Sequence, residues 1–114
     1  MRKTFLKEVT ILSVFDFKNN EKILLGKMLF GIAVKDETNR FEPNFRIITS
    51  TIRSQNNLEF ITKSKGFYVI DAEPKYLDIT FAEFVVMRHR LYSPSEILEL
   101  RQMLKLNDDR IMNK

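Results

Sequence analysis

The apolar positions of this chain fall into runs separated by short polar interruptions, and the spacing within the runs changes near residue 80. Residues 5 to 17 are rich in Val, Ile, Leu, Phe and Thr with partial alternation, which predicts a strand. Asn19-Asn20-Glu21-Lys22 reads as a turn, and residues 23 to 35 form a second apolar run. Gly26 and Gly31 sit inside that run. Glycines within a strand mark a bulge, a bend or the close approach of another backbone, so the sheet is expected to curl there. DETNR, residues 36 to 40, makes the next turn. Residues 45 to 53 alternate, with Phe45, Ile47, Thr49 and Thr51 on one face and Arg46, Ile48, Ser50 and Ile52 on the other. Ser54-Gln55-Asn56-Asn57 is a polar turn, residues 58 to 63 a short strand, Ser64-Lys65-Gly66 a tight turn and residues 67 to 71 another strand, ended by Glu73-Pro74-Lys75. Short polar turns between neighbouring strands predict an antiparallel meander.

Beyond residue 80 the signals are helical. Thr80-Phe81-Ala82-Glu83 and Ser93-Pro94-Ser95-Glu96 both fit the capping box, in which the hydroxyl and the glutamate satisfy each other's backbone N–H groups. Pro94 falls at the first helical position, where its missing N–H costs nothing. Ile97, Leu98, Leu100, Arg101 and Leu104 continue a helical stripe, with Ile97, Leu100 and Leu104 expected to dock on the sheet. The spacing predicts a helix over 94 to 106. The Phe-Val-Val centre of residues 81 to 91 suits a strand, but the cap favours a second helix there. The expected fold is α+β: about five antiparallel strands forming a curled sheet or a small, partly open SH3-like barrel, then two short C-terminal helices. Residues 1 to 114 are expected to form a single domain.

Composition narrows the function classes. Apolar residues make up 44% and charged residues 30%, which suits a globular chain rather than a disordered one. The absence of Cys excludes a disulfide framework, a thiol nucleophile and a thiolate metal site. Lys7, Glu8 and Asp16 interrupt the first apolar run, so it does not read as a signal peptide, and no run is long enough to predict a membrane span. The mature chain is expected to begin at Met1 and to stay in the cytoplasm. The net charge is +4 and unevenly spread. Residues 1 to 35 carry seven Lys or Arg against three acids, whereas residues 71 to 83 carry Asp71, Glu73, Asp78 and Glu83 against Lys75 alone.

No constellation of reactive residues stands out. Thr49-Ser50-Thr51 lacks the flanking glycines of a nucleophile elbow and reads as the interior of a half-buried strand. Arg40-Phe41 is expected to anchor its entry, with Phe41 inward and Arg40 paired to Asp36 or Glu37. Gly26 and Gly31 lack the lysine and hydroxyl of a phosphate loop. The single histidine, His89, lies between Arg88 and Arg90. A hydrolase built on it would need a nearby nucleophile and an orienting acid that no spacing selects. Asp108-Asp109 reads as a polar tail rather than a metal site, and neither metal nor cofactor is expected. Arg46, Arg53, Lys63, Lys65 and Tyr68 interleave basic and aromatic character, the pattern of a nucleic-acid-binding barrel that stacks bases beside a basic groove.

GKMLFGIAVKDETNRFEPNFRIITSTIRS, followed by FITKSKGFYVI and by Glu83, Arg88 and Ser93-Pro94-Ser95-Glu96, resembles small stand-alone bacterial proteins of the toxin-immunity type, including immunity proteins of contact-dependent growth inhibition. The resemblance spans roughly residues 26 to 100. It implies a compact α+β inhibitor that occludes a partner toxin's active site, and it carries over no catalytic residue. Immunity proteins against basic nucleases tend to be acidic, and this chain departs from them in being basic. The resemblance then implies an acidic or neutral toxin contact, or a contact through the acidic 71 to 83 patch. The leading expectation is a non-enzymatic protein-binding module with Asp71, Glu73, Lys75, Tyr76, Asp78 and Glu83 as its contact set. A nucleic-acid-binding barrel is the first alternative and a small hydrolase using His89 the second.

Overall fold

In a computed structural model, which describes residues 1–112 and side chains as far as residue 105, the chain is a mostly-sheet α+β fold: seven strands in one unclosed sheet, then two helices. The strands are β1 (Thr4–Lys18), β2 (Glu21–Asp36), β3 (Arg46–Ile48), β4 (Ile52–Asn56), β5 (Glu59–Thr62), β6 (Phe67–Ile70) and β7 (Lys75–Thr80). The helices are α1 (Phe81–Arg90) and α2 (Pro94–Met112). The hydrogen-bonded order is β3-β2-β1-β6-β5-β4, with β7 also paired to β1. The two ends of this path, β3 and β4, are consecutive in the chain and only residues 49–51 separate them, so the sheet must curl back on itself.

The β1–β2 hairpin is the frame. Asn19 and Asn20 both have positive φ, 53° and 66°, and form a two-residue turn that matches the strand twist. Its register jumps at three places, where one strand carries an extra residue. At the largest irregularity Lys7 pairs with Ile32 and Thr10 with Phe30, leaving Glu8 and Val9 opposite Gly31. Glu8 there takes φ 51°, an uncommon conformation for a residue with a side chain. The sheet bends tightly enough that a Cβ on Gly31 would lie 3.0 Å from Leu6 Cδ1.

The extra residue at this bulge puts Leu6, Val9 and Ile11 on one face of β1 and Thr10, Leu12 and Val14 on the other. Each face is buried by a different part of the chain. Leu6, Val9, Ile11, Leu29 and Ala33 meet Phe60, Tyr68 and Ile70 as β4, β5 and β6 curl over them. Leu12, Val14 and Phe30 meet Ile79, Phe84, Met87 and Ile97, which the C-terminal region brings to the other side.

The helices begin where the sequence places them. Thr80 and Glu83 form a complete capping box, and Ser93 and Glu96 exchange the same two bonds. Leu91 ends α1 in a left-handed conformation.

Several details differ from the sequence expectation. There are seven strands rather than about five, and β6 and β7 run parallel to β1. The run from 45 to 53 is broken into β3 and β4, and residues 54 to 56 continue β4 instead of turning. Phe45 is exposed, although Ile47 and Thr49 on its expected face are buried. Phe41 does pack against the core, but it is the backbone N–H of Arg40 that reaches Asp36, and its guanidinium bonds Thr38. Helix α2 continues to Met112, and Leu104 stands 56% exposed because only the first turns of α2 reach the sheet. Ile97 is 1% exposed and Leu100 is partly buried in the same cluster. Among the described residues no helix is long and apolar enough to cross a membrane.

Candidate functional site

The bulge at Glu8 coincides with a change of neighbour. Residues 4 to 6 of β1 pair with β6, and residues 10 to 15 pair with β7. Between the two, the ladder is interrupted on both strands at once: β1 bulges at Glu8 while residues 71–74 loop away. Bulges re-aim side chains and end pairing in this way. A cleft of about 400 Å³ opens at the interruption. Thr10, Phe30 and Ile32 line its floor, Val9 borders it at the bulge, and Glu8, Asp71, Glu73, Lys75 and Arg46 supply its charged walls. Ser93, Pro94 and Ser95 close it at the start of α2.

Arg46 fixes that last wall. From β3 its guanidinium donates to the carbonyl oxygen of Leu91 at 3.0 Å and to the carboxylate of Glu96. Glu96 also accepts from the Ser93 N–H at 3.0 Å. The Ser93 N–H, and then Arg46, hold the Glu96 carboxyl below the usual carboxylate range. The charge of Arg46 is therefore spent on the helix junction. Glu8, Asp71, Glu73 and Lys75 take part in none of the four ion pairs found among the described residues. Three unpaired carboxylates and one unpaired lysine thus line the same cleft. Asp71 also lines a neighbouring hollow of about 420 Å³ with Phe5, Val34 and Val69, which extends the apolar surface along the outside of β1 and β2.

The expected protein-contact set is divided. Asp71, Glu73 and Lys75 come together in the cleft. Tyr76 and Asp78 belong to the opposite face, since they pair with Ile11 and Ser13. Glu83 sits in the first turn of α1, where it accepts from the Thr80 N–H and from the guanidinium of Arg101 at 2.7 and 2.9 Å. Burial works against its charge, but Arg101 and Thr80 outweigh it and hold the carboxyl below the usual range.

The basic and aromatic set is not assembled into a stacking surface. Tyr68 is 4% exposed and Phe60 is fully buried, both inside the core. Arg46 is engaged at the helix junction, whereas Arg53, Lys63 and Lys65 are exposed on β4 and on the β5–β6 turn. Thr49, from the hydroxyl run, is buried and accepts from the Leu29 N–H at 3.0 Å, while Ser50 bonds Ser64 across the β5–β6 turn. His89 is exposed in the last turn of α1. The side chains of Asp108 and Asp109 lie outside the described residues, and among those described no group of three or more His, Cys, Asp or Glu could hold a metal ion.

Glu8 is the wall residue that sequence reasoning missed. The signal was present: Lys7-Glu8 puts two successive charges into an otherwise apolar strand, between Leu6 and Val9. Two charges in a row cannot alternate faces cleanly, and an inserted bulge residue resolves the conflict. Comparison with protein-family models, with curated proteins and with solved structures finds no match to this chain.

Proposed function

We propose that this chain is a non-catalytic protein-binding module that holds one partner at the cleft, in the manner of an immunity-type inhibitor that occludes a toxin's active site. The observation that carries the reading is the interrupted ladder, which leaves Glu8, Asp71 and Glu73 unpaired around one cleft. A lysine or arginine from a partner fits this chemistry. Its aliphatic stem lies against Ile32, and its charged head meets carboxylates that form no ion pair among the described residues. A toxin whose active site depends on a basic residue would be neutralised by such a contact, and complementary charge would speed its capture. The immunity-type form of the reading rests on the sequence resemblance, and the cleft supports the wider reading of protein binding.

The test is affinity capture from the native host. The wild-type chain should recover one stoichiometric protein, and Asp71→Lys/Glu73→Lys should lose it while folding normally. Recovery of no partner by the wild type, including no product of an adjacent gene, would refute the proposal.

A further inference from the structure

Four threonines are buried among the described residues. The Thr4 hydroxyl donates to Asp36, that of Thr49 accepts from the Leu29 N–H, and that of Thr62 meets Ser64. Thr10 is 5% exposed, and its hydroxyl has no hydrogen-bond partner among the described residues. A hydroxyl that is buried without a partner is costly. Every side-chain oxygen sealed from solvent is partnered among the described residues, so the Thr10 oxygen is not sealed and opens on the cleft whose floor Thr10 lines. There it stands between Phe30 of β2 and Lys75 of β7, its neighbours in register. The side chains of Glu8, Asp71 and Glu73 are exposed at the walls. Arg46 is paired with Glu96, so three acids against Lys75 leave the cleft two negative charges in excess. The start of α2 does not reverse that sign. Pro94 has no N–H, and the N–H groups of Glu96 and Ile97 already donate to the hydroxyl and the carbonyl oxygen of Ser93.

We infer that the side chain this cleft takes from its partner is an arginine, with the Thr10 hydroxyl accepting one guanidinium N–H at the floor while the wall carboxylates accept others. The inference rests on the reading of the cleft as a protein-binding site and names the group that enters it. A guanidinium fans its N–H donors out in one plane, so it reaches a floor acceptor and the walls together. It is also more weakly hydrated than an ammonium, which lowers the cost of carrying it down to a buried hydroxyl. A lysine ammonium is a compact, strongly hydrated point charge that meets the exposed carboxylates without needing Thr10. The carboxylates therefore select a cation over an anion, and Thr10 selects arginine over lysine.

Nuclear magnetic resonance titration of the isotope-labelled full chain tests it, with N-acetyl-arginine N-methylamide, its lysine counterpart and acetate as probes at one ionic strength. The arginine probe should give saturable amide shifts at residues 8–10, 30–32 and 71–75 and bind about threefold or more tighter than the lysine probe. Thr10→Val keeps the shape of the side chain and removes the hydroxyl. It should weaken the arginine probe about tenfold, the effect of one hydrogen bond to a charged group, and leave the lysine probe unchanged. Thr10→Ser keeps the hydroxyl and should bind as wild type does. Equal binding of the two cationic probes, no loss of the arginine probe in Thr10→Val, saturation by acetate instead, or no saturable shift with any probe would each overturn the inference. The protein-binding reading fails separately, when the wild-type chain captures no partner from its host.

Discussion

Replacing Asp36 with Asn should weaken the fold by about 2–3 kcal/mol at neutral pH. The carboxylate organises the whole connection that leaves β2. One oxygen accepts from the Thr4 hydroxyl at 2.8 Å and from the Thr38 N–H and hydroxyl at 2.9 and 2.6 Å. The other accepts from the N–H groups of Arg40 and Phe41 at 2.8 and 2.9 Å. An amide can reproduce the first set but not the second, because its NH2 would face two donors. The Arg40 N–H can turn to water. The Phe41 N–H is partly buried and its ring is packed on the core, so it has less freedom to do so. Burial opposes the Asp36 charge, but the Thr38 hydroxyl and N–H, the Thr4 hydroxyl and the Phe41 N–H outweigh it and hold the carboxyl well below its ordinary value of 3.8. A folded-state pKa below the unfolded one gives stability that is complete above 3.8 and is lost as pH falls through the folded value. The Asp36 contribution should therefore shrink progressively as pH falls below 3.8. Urea melts of wild type and Asp36→Asn at about pH 7 and pH 3 measure both effects. The variant should melt earlier at neutral pH, and the gap should narrow in acid. Equal midpoints at neutral pH, or a gap that does not narrow, would refute the assignment.

The other stability predictions concern the helices and the bend. Ser93→Ala removes the hydroxyl that accepts from the Glu96 N–H at 3.2 Å and should cost about 0.5–2 kcal/mol in denaturant melts. Ile97→Ala should cost about 2–5 kcal/mol because the side chain is buried, whereas the exposed Leu104→Ala should stay within about 0.5 kcal/mol of wild type. Gly31→Ala drives a methyl group against Leu6 and Val9 and should cost about 1–3 kcal/mol, read as a lowered thermal midpoint.

What was legible in the sequence was local. Both capping boxes form because their residues lie three apart and need no distant partner. The hairpin turn at Asn19 and Asn20 is local in the same sense. What stayed hidden depends on distant packing. Strand β7 alternates well enough, but Pro74 and the acids around it read as loop, and only its parallel pairing with β1 makes it a strand. The apolar stripe of α2 predicted docking through Leu104, and where the sheet ends under a helix is a tertiary property. Tyr68 looked available for stacking because sequence alternation does not say which face of a strand is covered, and the curl of β4, β5 and β6 covers that one. The candidate cleft was half legible. Asp71, Glu73 and Lys75 stood out as a charge cluster, but their meeting with Glu8 requires two interruptions to coincide, one in β1 and one between β6 and β7.

The central claim is that the cleft recognises a protein through its free carboxylates. The measurement that tests it most directly is the affinity of the captured partner for wild type and for Glu8→Gln, Asp71→Asn and Glu73→Gln, followed by surface plasmon resonance at low and high salt. Each substitution should weaken binding about tenfold or more and reduce the salt dependence of the association rate. Wild-type affinity in all three variants, with the salt dependence unchanged, would contradict it.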